Sequence, residues 1–421
     1  MKLTGIKLRR GLPALRRPKL SRGRLILLCA AAALAIACAA LGFAYSGTAG
    51  ELLSQQAAER YQGEAEQRFA QASAFFPLGS EKGISDIYTF RSAMDGKLLD
   101  VSLEAAEGAP PLWFDAYSGS GELAVTGNKG SATVPALGLG GQWFSFHPLE
   151  LRSGGYFTED ELMHDRVILD EKLAWQLFGS YDLAGLTVTI GGKPFVIAGV
   201  VALEEDGASS KALGEQVGRI FLHFDALQQL TGGDGSSGID CYELVCAEPI
   251  SGFTLGLLTE SFQGAETVQN SGRFRLAATL GTLRHFGSRS MQTAGVALPY
   301  WENAARLVEN DLAFLLLAIV LTALLPLGLL VFNAVRLVRR GWLALRWEVG
   351  PRLWERAADR VRAKQQIALK KRQKRIESRW LKEDEAEEKD REEVMKLHAA
   401  LHACTTMNEN QVQQTRQHDK I

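Results

Sequence analysis

The chain has 421 residues, 46% of them hydrophobic, with 47 Lys and Arg against 48 Asp and Glu, 42 Gly and five Cys. That apolar content excludes intrinsic disorder as the overall state, and aperiodic glycine with so few cysteines excludes collagen-like and disulfide-scaffold classes. The net charge of −1 averages three unlike regions: nine basic groups and no acid in residues 1–24, 17 basic and 34 acidic in 46–311, and 21 basic and 14 acidic in 336–421.

Two stretches without a charged side chain separate these regions. Residues 25–44 are 20 positions of unbroken apolar character, and residues 312–335 are 24 more. About 20 residues, at about 1.5 Å each, cross a hydrocarbon core of about 30 Å. The expected organisation is therefore a basic cytoplasmic N-terminus (1–24), a transmembrane helix (25–45), an outer domain (46–311), a second transmembrane helix (312–335) and a charged cytoplasmic tail (336–421). Pro326 should kink the second span, which lipid-embedded helices tolerate. Basic flanks at Arg16, Arg17, Lys19, Arg22 and Arg24, and at Arg336, Arg339 and Arg340, place both termini in the cytoplasm of a multi-pass cell-membrane protein. A cleaved signal peptide is the alternative for the first stretch, but the run exceeds the usual apolar region of about 7–15 residues. Cys38 as a lipid-anchor site lacks a large aliphatic residue three positions earlier, where Ala35 stands. Tyr300 and Trp301 before the second span, and Trp342 and Trp347 after it, are expected as membrane-interface anchors.

Residues 51–76 read as a helical stalk leaving the membrane, with Leu52, Leu53, Ala57, Tyr61, Ala65, Phe69, Ala72 and Phe76 on one stripe. Residues 301–311 read as a matching stalk back. Between them the pattern is α+β. Short strands are expected at 84–91, 98–103, 112–117 and 122–125, and Thr158 to Glu161 has the form of a capping box. A strand at 166–169 precedes a helix capped by Asp170 and ended by Gly179. A strand at 186–190, a turn at Gly191 and Gly192, and a return strand at 195–201 form a hairpin. Residues 219–224, a short helix near 225–230 and a strand at 242–247 complete the set. Cys241 and Cys246 lie on that last strand at i,i+5, pointing to opposite faces, so no disulfide joins them.

The ordered set Gly154, Phe157, Leu177, Phe178, Gly179, Gly185, Phe195 and Gly199 resembles the MacB-like periplasmic core domain. The likeness lies in Leu-Arg-Ser-Gly-Gly-Tyr-Phe-Thr at 151–158, Val-Ile-Leu-Asp-Glu-Lys-Leu-Ala at 167–174 and Phe-Val-Ile-Ala-Gly-Val-Val at 195–201. That domain is the extracytoplasmic part of the MacB/FtsX-type ABC transporter permeases of bacteria, and the likeness runs from about residue 51 to 311. The resemblance implies an α+β extracytoplasmic domain on helical stalks, serving as a membrane subunit for mechanotransmission or transport. It also implies a separate ABC ATPase, with a full-length permease subunit and a second copy of the chain as further candidate partners. The departures are one span after the outer domain where these permeases have three, and Gly154-Gly155 where a Gly-Arg is usual.

No phosphate-binding loop accompanies the resemblance. The run at 127–131 (Gly-Asn-Lys-Gly-Ser) has the wrong spacing. The chain is read as a non-enzyme without a cofactor. His398, His402 and Cys404 have helical metal-site spacing but lack a fourth ligand. The Gly-rich acidic run from Asp234 to Asp240 misses the oxygen spacing of a calcium loop. His147, His164, His223 and His285 stand near no Ser or Cys elbow.

The tail has no Gly or Pro after residue 351; residues 336–382 hold 16 basic and four acidic groups, and 383–393 hold eight acidic and two basic. It reads as helical or disordered, with a thin coiled-coil seam at Leu353, Ala357, Val361 and Ile367. Anionic lipid suits its membrane-proximal basic block, with a cytoplasmic partner as the alternative. Nucleic acid is not expected, because no fold accompanies the charge. The competing functional reading is a non-transport envelope scaffold or sensor, with an outer binding domain and a partner-recruiting tail. A degraded permease is a third.

Overall fold

The structure, a computed structural model, describes residues 21–415 except 65, 81, 106–107, 109, 215–217, 233–237, 286–294, 297, 345 and 348–349. The basic leader at 1–20, most of the Asp234 loop and the side chains of His402 and Cys404 lie outside the described residues. The chain divides into two compact units, Met1–Leu327 and Gly328–Ile421.

The first unit opens with α1 (Arg22–Glu51), a single 3-10 turn (Leu53–Gln55), α2 (Ala57–Gln62) and β1 (Phe69–Phe75). Next come α3 (Ile84–Asp100), the long hairpin of β2 (Trp113–Thr126) and β3 (Ser131–Gly141), α4 (Trp143–Phe146) and β4 (Leu151–Gly154). They are followed by β5 (Arg166–Asp170), α5 (Glu171–Phe178), β6 (Thr187–Ile190), β7 (Lys193–Val201), α6 (Gly207–Leu213), β8 (Ile220–His223) and α7 (Phe224–Thr231). β9 (Cys241–Ala247), α8 (Phe253–Ser261), β10 (Glu266–Gln269), α9 (Leu276–Arg284) and α10 (Tyr300–Ala344) follow.

All ten strands join one sheet, in the order β10-β1-β9-β2-β3-β8-β5-β7-β4, with β6 bridging β2 and β7. Because β6 pairs with both, the strands β2, β3, β8, β5, β7 and β6 form a closed ring. One core cluster lies with that ring: Val125, Val134, Val167, Leu169, Ile190, Phe195, Ile197, Ile220 and Leu222, with Leu173, Leu177 and Phe178 of α5 and Leu227 of α7. Closure removes free edges from this half, while the strands from β10 to β2 extend as an open sheet. β2 serves both halves, pairing β9 through Trp113 to Ser118 and β6 through Val125 and Thr126.

The α5 unit forms as its sequence dictates. The Asp170 carboxylate accepts from the Leu173 amide at 2.8 Å, and Gly179 closes the helix in the left-handed region at φ 72°. The Gly191 and Gly192 turn is also formed, at φ 54° and 77°.

Several expectations are corrected. The stalk at 51–76 is a short turn, α2 and β1: Gly63 ends α2 at φ 51°, and Phe69–Phe75 is a strand held between β9 and β10. The strands expected at 84–91 and 98–103 are one helix, α3. Its buried Ile87, Phe90, Met94 and Leu98 follow a three-to-four period, and Asp86 accepts from the Gly83 amide at 3.0 Å. Residues 158–161 open no helix, and Glu159 accepts instead from Arg91 and Tyr117. The run at 127–131 is the β2–β3 turn. Cys241 and Cys246 are buried and unbridged.

The second unit contains α11 (Gly350–Thr415), one continuous helix of 66 residues.

Candidate functional site

Two segments join the outer domain to its apolar helices. One is the turn after α1, where Leu52 and Gln55 are buried. The other is the start of α10, where Trp301, Ala304, Ala305, Val308 and Leu312 recur every three or four residues and are buried. Leu52, Ala304, Ala305, Val308 and Leu312 form one cluster with Ala208 of α6, and Tyr45 and Ala49 of α1 pack against it. Small side chains let the two helices approach closely; the Cys38 thiol lies 3.8 Å from the Ile319 carbonyl.

A second stripe on α10, formed by Glu302, Arg306 and Glu309, enters a buried polar network. The Glu302 carboxylate accepts from Arg273 Nη1 at 2.7 Å, Arg273 Nη2 at 3.1 Å and Arg306 Nε at 2.9 Å. Arg273 also donates from Nε to Glu309 at 2.9 Å and from Nη1 to Gln55 Oε1 at 2.9 Å. Asn270 Nδ2 donates to the same Gln55 oxygen at 2.8 Å, and Ser73 of β1 donates to Asn270 Oδ1 at 2.9 Å. Gln71 of β1 donates to the Ser54 carbonyl at 2.8 Å and accepts from the Ala57 amide at 3.0 Å. Arg306 reaches Glu266 of β10. The turn after α1, β1, β10, the loop at 270–273 and α10 thus share one network. Its ionic members cost several kcal/mol each to desolvate, so removing one partner from such a pair costs about 3–5 kcal/mol.

Two further contacts bind α10 to the sheet. His147 Nε2 lies 2.5 Å from Glu243 Oε2 of β9, and the imidazole stacks on Trp143 at 4.4 Å and meets Trp301 at 4.5 Å. The Tyr300 hydroxyl donates to Glu204, which holds Arg219 through Nη2 at 2.5 Å. The Arg219 guanidinium stacks over the Tyr300 ring at 5.0 Å, and the Arg219 amide donates to Asp170 Oδ2 at 2.7 Å. Burial alone would push the Glu204 carboxyl up, but Arg219 outweighs it and holds the group below the usual carboxylate range. Asp170 has the opposite balance, and burial raises it despite its partners.

Tyr300 and Trp301 are therefore corrected as membrane-interface anchors. Trp301 is 3% exposed and packs on protein, since its three-to-four spacing with Ala304, Ala305 and Val308 turns it inward. The segment 301–311 is likewise embedded in the domain rather than a stalk beneath it. Trp342 and Trp347 are exposed, with Arg346 over their rings at 5.2 and 5.7 Å.

Among the motif residues, Gly154 stands on β4, Leu177 and Phe178 on α5, and Phe195 and Gly199 on β7, while Phe157, Gly179 and Gly185 lie outside these elements, with no polar cluster among them. Gly154, at φ 72°, pairs in register with Gly199. A Cβ on Gly154 would fall 2.1 Å from the Ala198 carbonyl oxygen, and one on Gly199 would fall 2.7 Å from that of Gly155, so both positions exclude side chains. Leu177, Phe178 and Phe195 are in the ring's core, and Phe157 packs between Phe144 and His223. Gly185 turns the chain at φ 84° ahead of β6.

A separate cleft of about 620 Å³ opens beside Trp113, Phe144 and Tyr156. At its side Arg91 holds Asp115 at 2.7 and 2.9 Å and Glu159 at 3.1 and 3.0 Å. Among the described residues no group of three metal-ligating side chains converges.

The family profile described as MacB-like periplasmic core domain matches residues 26–252, more than half of the chain. The chain belongs to that family. The match stops short of residue 311, so β10, α9 and α10 lie beyond it. The macrolide export ATP-binding/permease protein MacB of Aggregatibacter actinomycetemcomitans is 29% identical over 116 residues, which are 27% of this chain and 18% of that protein. Among solved structures, the periplasmic region of MacB from Actinobacillus actinomycetemcomitans is 18% identical, covering 48% of this chain and 89% of that one at a TM-score of 0.35. The extracellular domain of the noncanonic ABC-type transporter YknZ from Gram-positive bacteria is 15% identical, covering 48% and 99% at 0.30. Two helices long and apolar enough to cross a membrane, Arg22–Glu51 and Tyr300–Leu343, flank the family domain. The protein is a membrane protein with an extracytoplasmic MacB-like core.

Proposed function

We propose that the chain is a membrane subunit of an ABC-type complex and relays motion to its outer domain when a separate ATPase moves its spans. The buried network carries this reading. Gln55, just after α1, and Glu302, at the start of α10, are both held by Arg273, so displacing either helix strains a joint tied to β1 and β10. Interfaces packed this tightly shift between discrete arrangements rather than deforming continuously, which suits transmission of a stroke. Both termini lie in the cytoplasm under this reading, where the ATPase would bind.

The test is limited proteolysis of the outer domain in membranes, with and without ATP. The double change Arg273→Met with Glu302→Met removes a cation and an anion together. It should leave the domain folded and the complex assembled, yet abolish the ATP-dependent change in cleavage. An unchanged ATP response in that variant would sink the relay.

The cleft beside Arg91 favours a second reading. An aromatic wall beside Glu159 and Asp160 suits a cationic envelope component, as in a non-transport scaffold or sensor. In that case saturating ligand would protect the cleft from cleavage with no ATP requirement.

A further inference from the structure

α11 is a 66-residue helix whose described side chains are almost wholly exposed, including Trp354, Val361, Leu397 and Leu401. At about 100° per residue, Trp354, Ala357, Val361 and Ala368 share the side of the helix that carries Val394, Leu397 and Leu401. Between these two seams lie two charge blocks. Residues 370–375 are five-sixths basic (Lys370, Lys371, Arg372, Lys374, Arg375), and residues 383–388 are five-sixths acidic (Glu383, Asp384, Glu385, Glu387, Glu388).

The arrangement is symmetric about Arg379. The basic block begins four residues before it and the acidic block four after; Val361 and Leu397 are each 18 residues away, and Ala357 and Leu401 each 22. We infer that α11 pairs antiparallel with α11 of a second copy of this chain, with the two-fold axis at Arg379. Each basic block then lies level with the other copy's acidic block, where Arg372 and Arg375 share the seam's side of the helix with Glu383 and Glu387, and Val361 faces the other copy's Leu397. A contact of this kind is isologous and closes on itself, giving a dimer. Arg379 meets its own counterpart at the axis, with Glu383 one turn along the same helix to offset it.

Other uses of the face fit less of it. An in-register parallel pair would set basic on basic and acidic on acidic, which opposes association. Folding back within one chain requires a break, but residues 352–415 hold no Gly or Pro, and a straight helix keeps Val361 and Leu397 about 54 Å apart. An anionic bilayer would take the basic block and leave the acidic block and the seam at 394–401 without a partner. Paired this way, the two helix starts lie on the order of 90 Å apart along the pair. The pairing is a property of the tail and stands apart from the ATPase partnership.

The experiment uses the full chain in its native membranes, with Cys404→Ser as background. The double variant Val361→Cys with Leu397→Cys should give a disulfide-linked dimer on mild oxidation, while either single variant should stay monomeric. Dimers from the single variants would indicate a parallel pair, and no dimer from the double variant would indicate unpaired tails; each result overturns the inference. On the double-Cys background, R372E/R375E and E383K/E387K should each cut the dimer at least five-fold. Co-expression of the two reversed chains should restore it, because each block then meets its opposite again. Failure to restore it would show that the blocks do not face each other. ATP-binding protein recovered with the chain should be the same in all these variants, which separates this test from that of the relay.

Discussion

Arg273 holds Gln55, Glu302 and Glu309 at once, so its loss should exceed that of an ordinary surface ion pair. Replacing Arg273 with Leu removes the cation shared by two buried carboxylates, Glu302 and Glu309, and should cost about 3–5 kcal/mol, read as a lowered unfolding midpoint of the detergent-solubilised chain. The Arg273→Met, Glu302→Met pair should cost less than the sum of its single changes, because the two groups are each other's partners and are removed together. His223 gives a pH dependence. Burial first, then the charge of His164 stacked on it at 4.4 Å, lower its pKa from 6.5 to about 4; Asp165 and Glu159 oppose the shift and Arg166 adds to it. Glu161, 4.0 Å from Nε2, and Asp225, paired with His164, complete its charged surroundings. A depressed histidine stabilises the fold fully above its unfolded value and loses that contribution as pH falls through the folded value. Between pH 6.5 and about 4 the loss is at most about 3 kcal/mol, and His223→Gln should flatten the stability profile across that window.

At the scale of elements, the hairpin of β6 and β7 and the α5 unit were legible because their signals are local: Asp170 as cap, Gly179 as stop, Gly191 and Gly192 as turn. β1 and α3 were misread for opposite reasons. Residues 69–75 carry Phe, Ala and Ser at spacings that suit a helix stripe, and only the partners β9 and β10 make them a strand. Residues 84–91 look β-rich, yet the period through Ile87, Phe90, Met94 and Leu98 decides for a helix against the sheet. The joint was invisible from sequence, since Gln55, Arg273 and Glu302 are scattered along the chain and no short-range pattern joins them. Trp301 illustrates the same limit: next to an apolar span it reads as a lipid anchor, while its partners Trp143 and His147 lie far earlier in sequence. Trp301→Ala should therefore destabilise the outer domain by about 3–5 kcal/mol, seen as a lower denaturation midpoint. Gly199→Ala should loosen β4 from β7, and faster amide exchange at residues 151–154 and 197–201 would report it.

For the whole molecule, the family match, the two apolar helices and the shared buried joint point one way: an extracytoplasmic MacB-like domain whose two membrane connections are fixed to each other inside the protein. A domain so attached can report or receive movement of its spans without any substrate passing through the chain itself. The most direct measurement is affinity purification of the tagged chain from native membranes in mild detergent, with mass spectrometry of the proteins that follow it. The account predicts an ATP-binding subunit at near-stoichiometric yield. Repeated recovery without one, and with envelope or cytoplasmic proteins in its place, would contradict it.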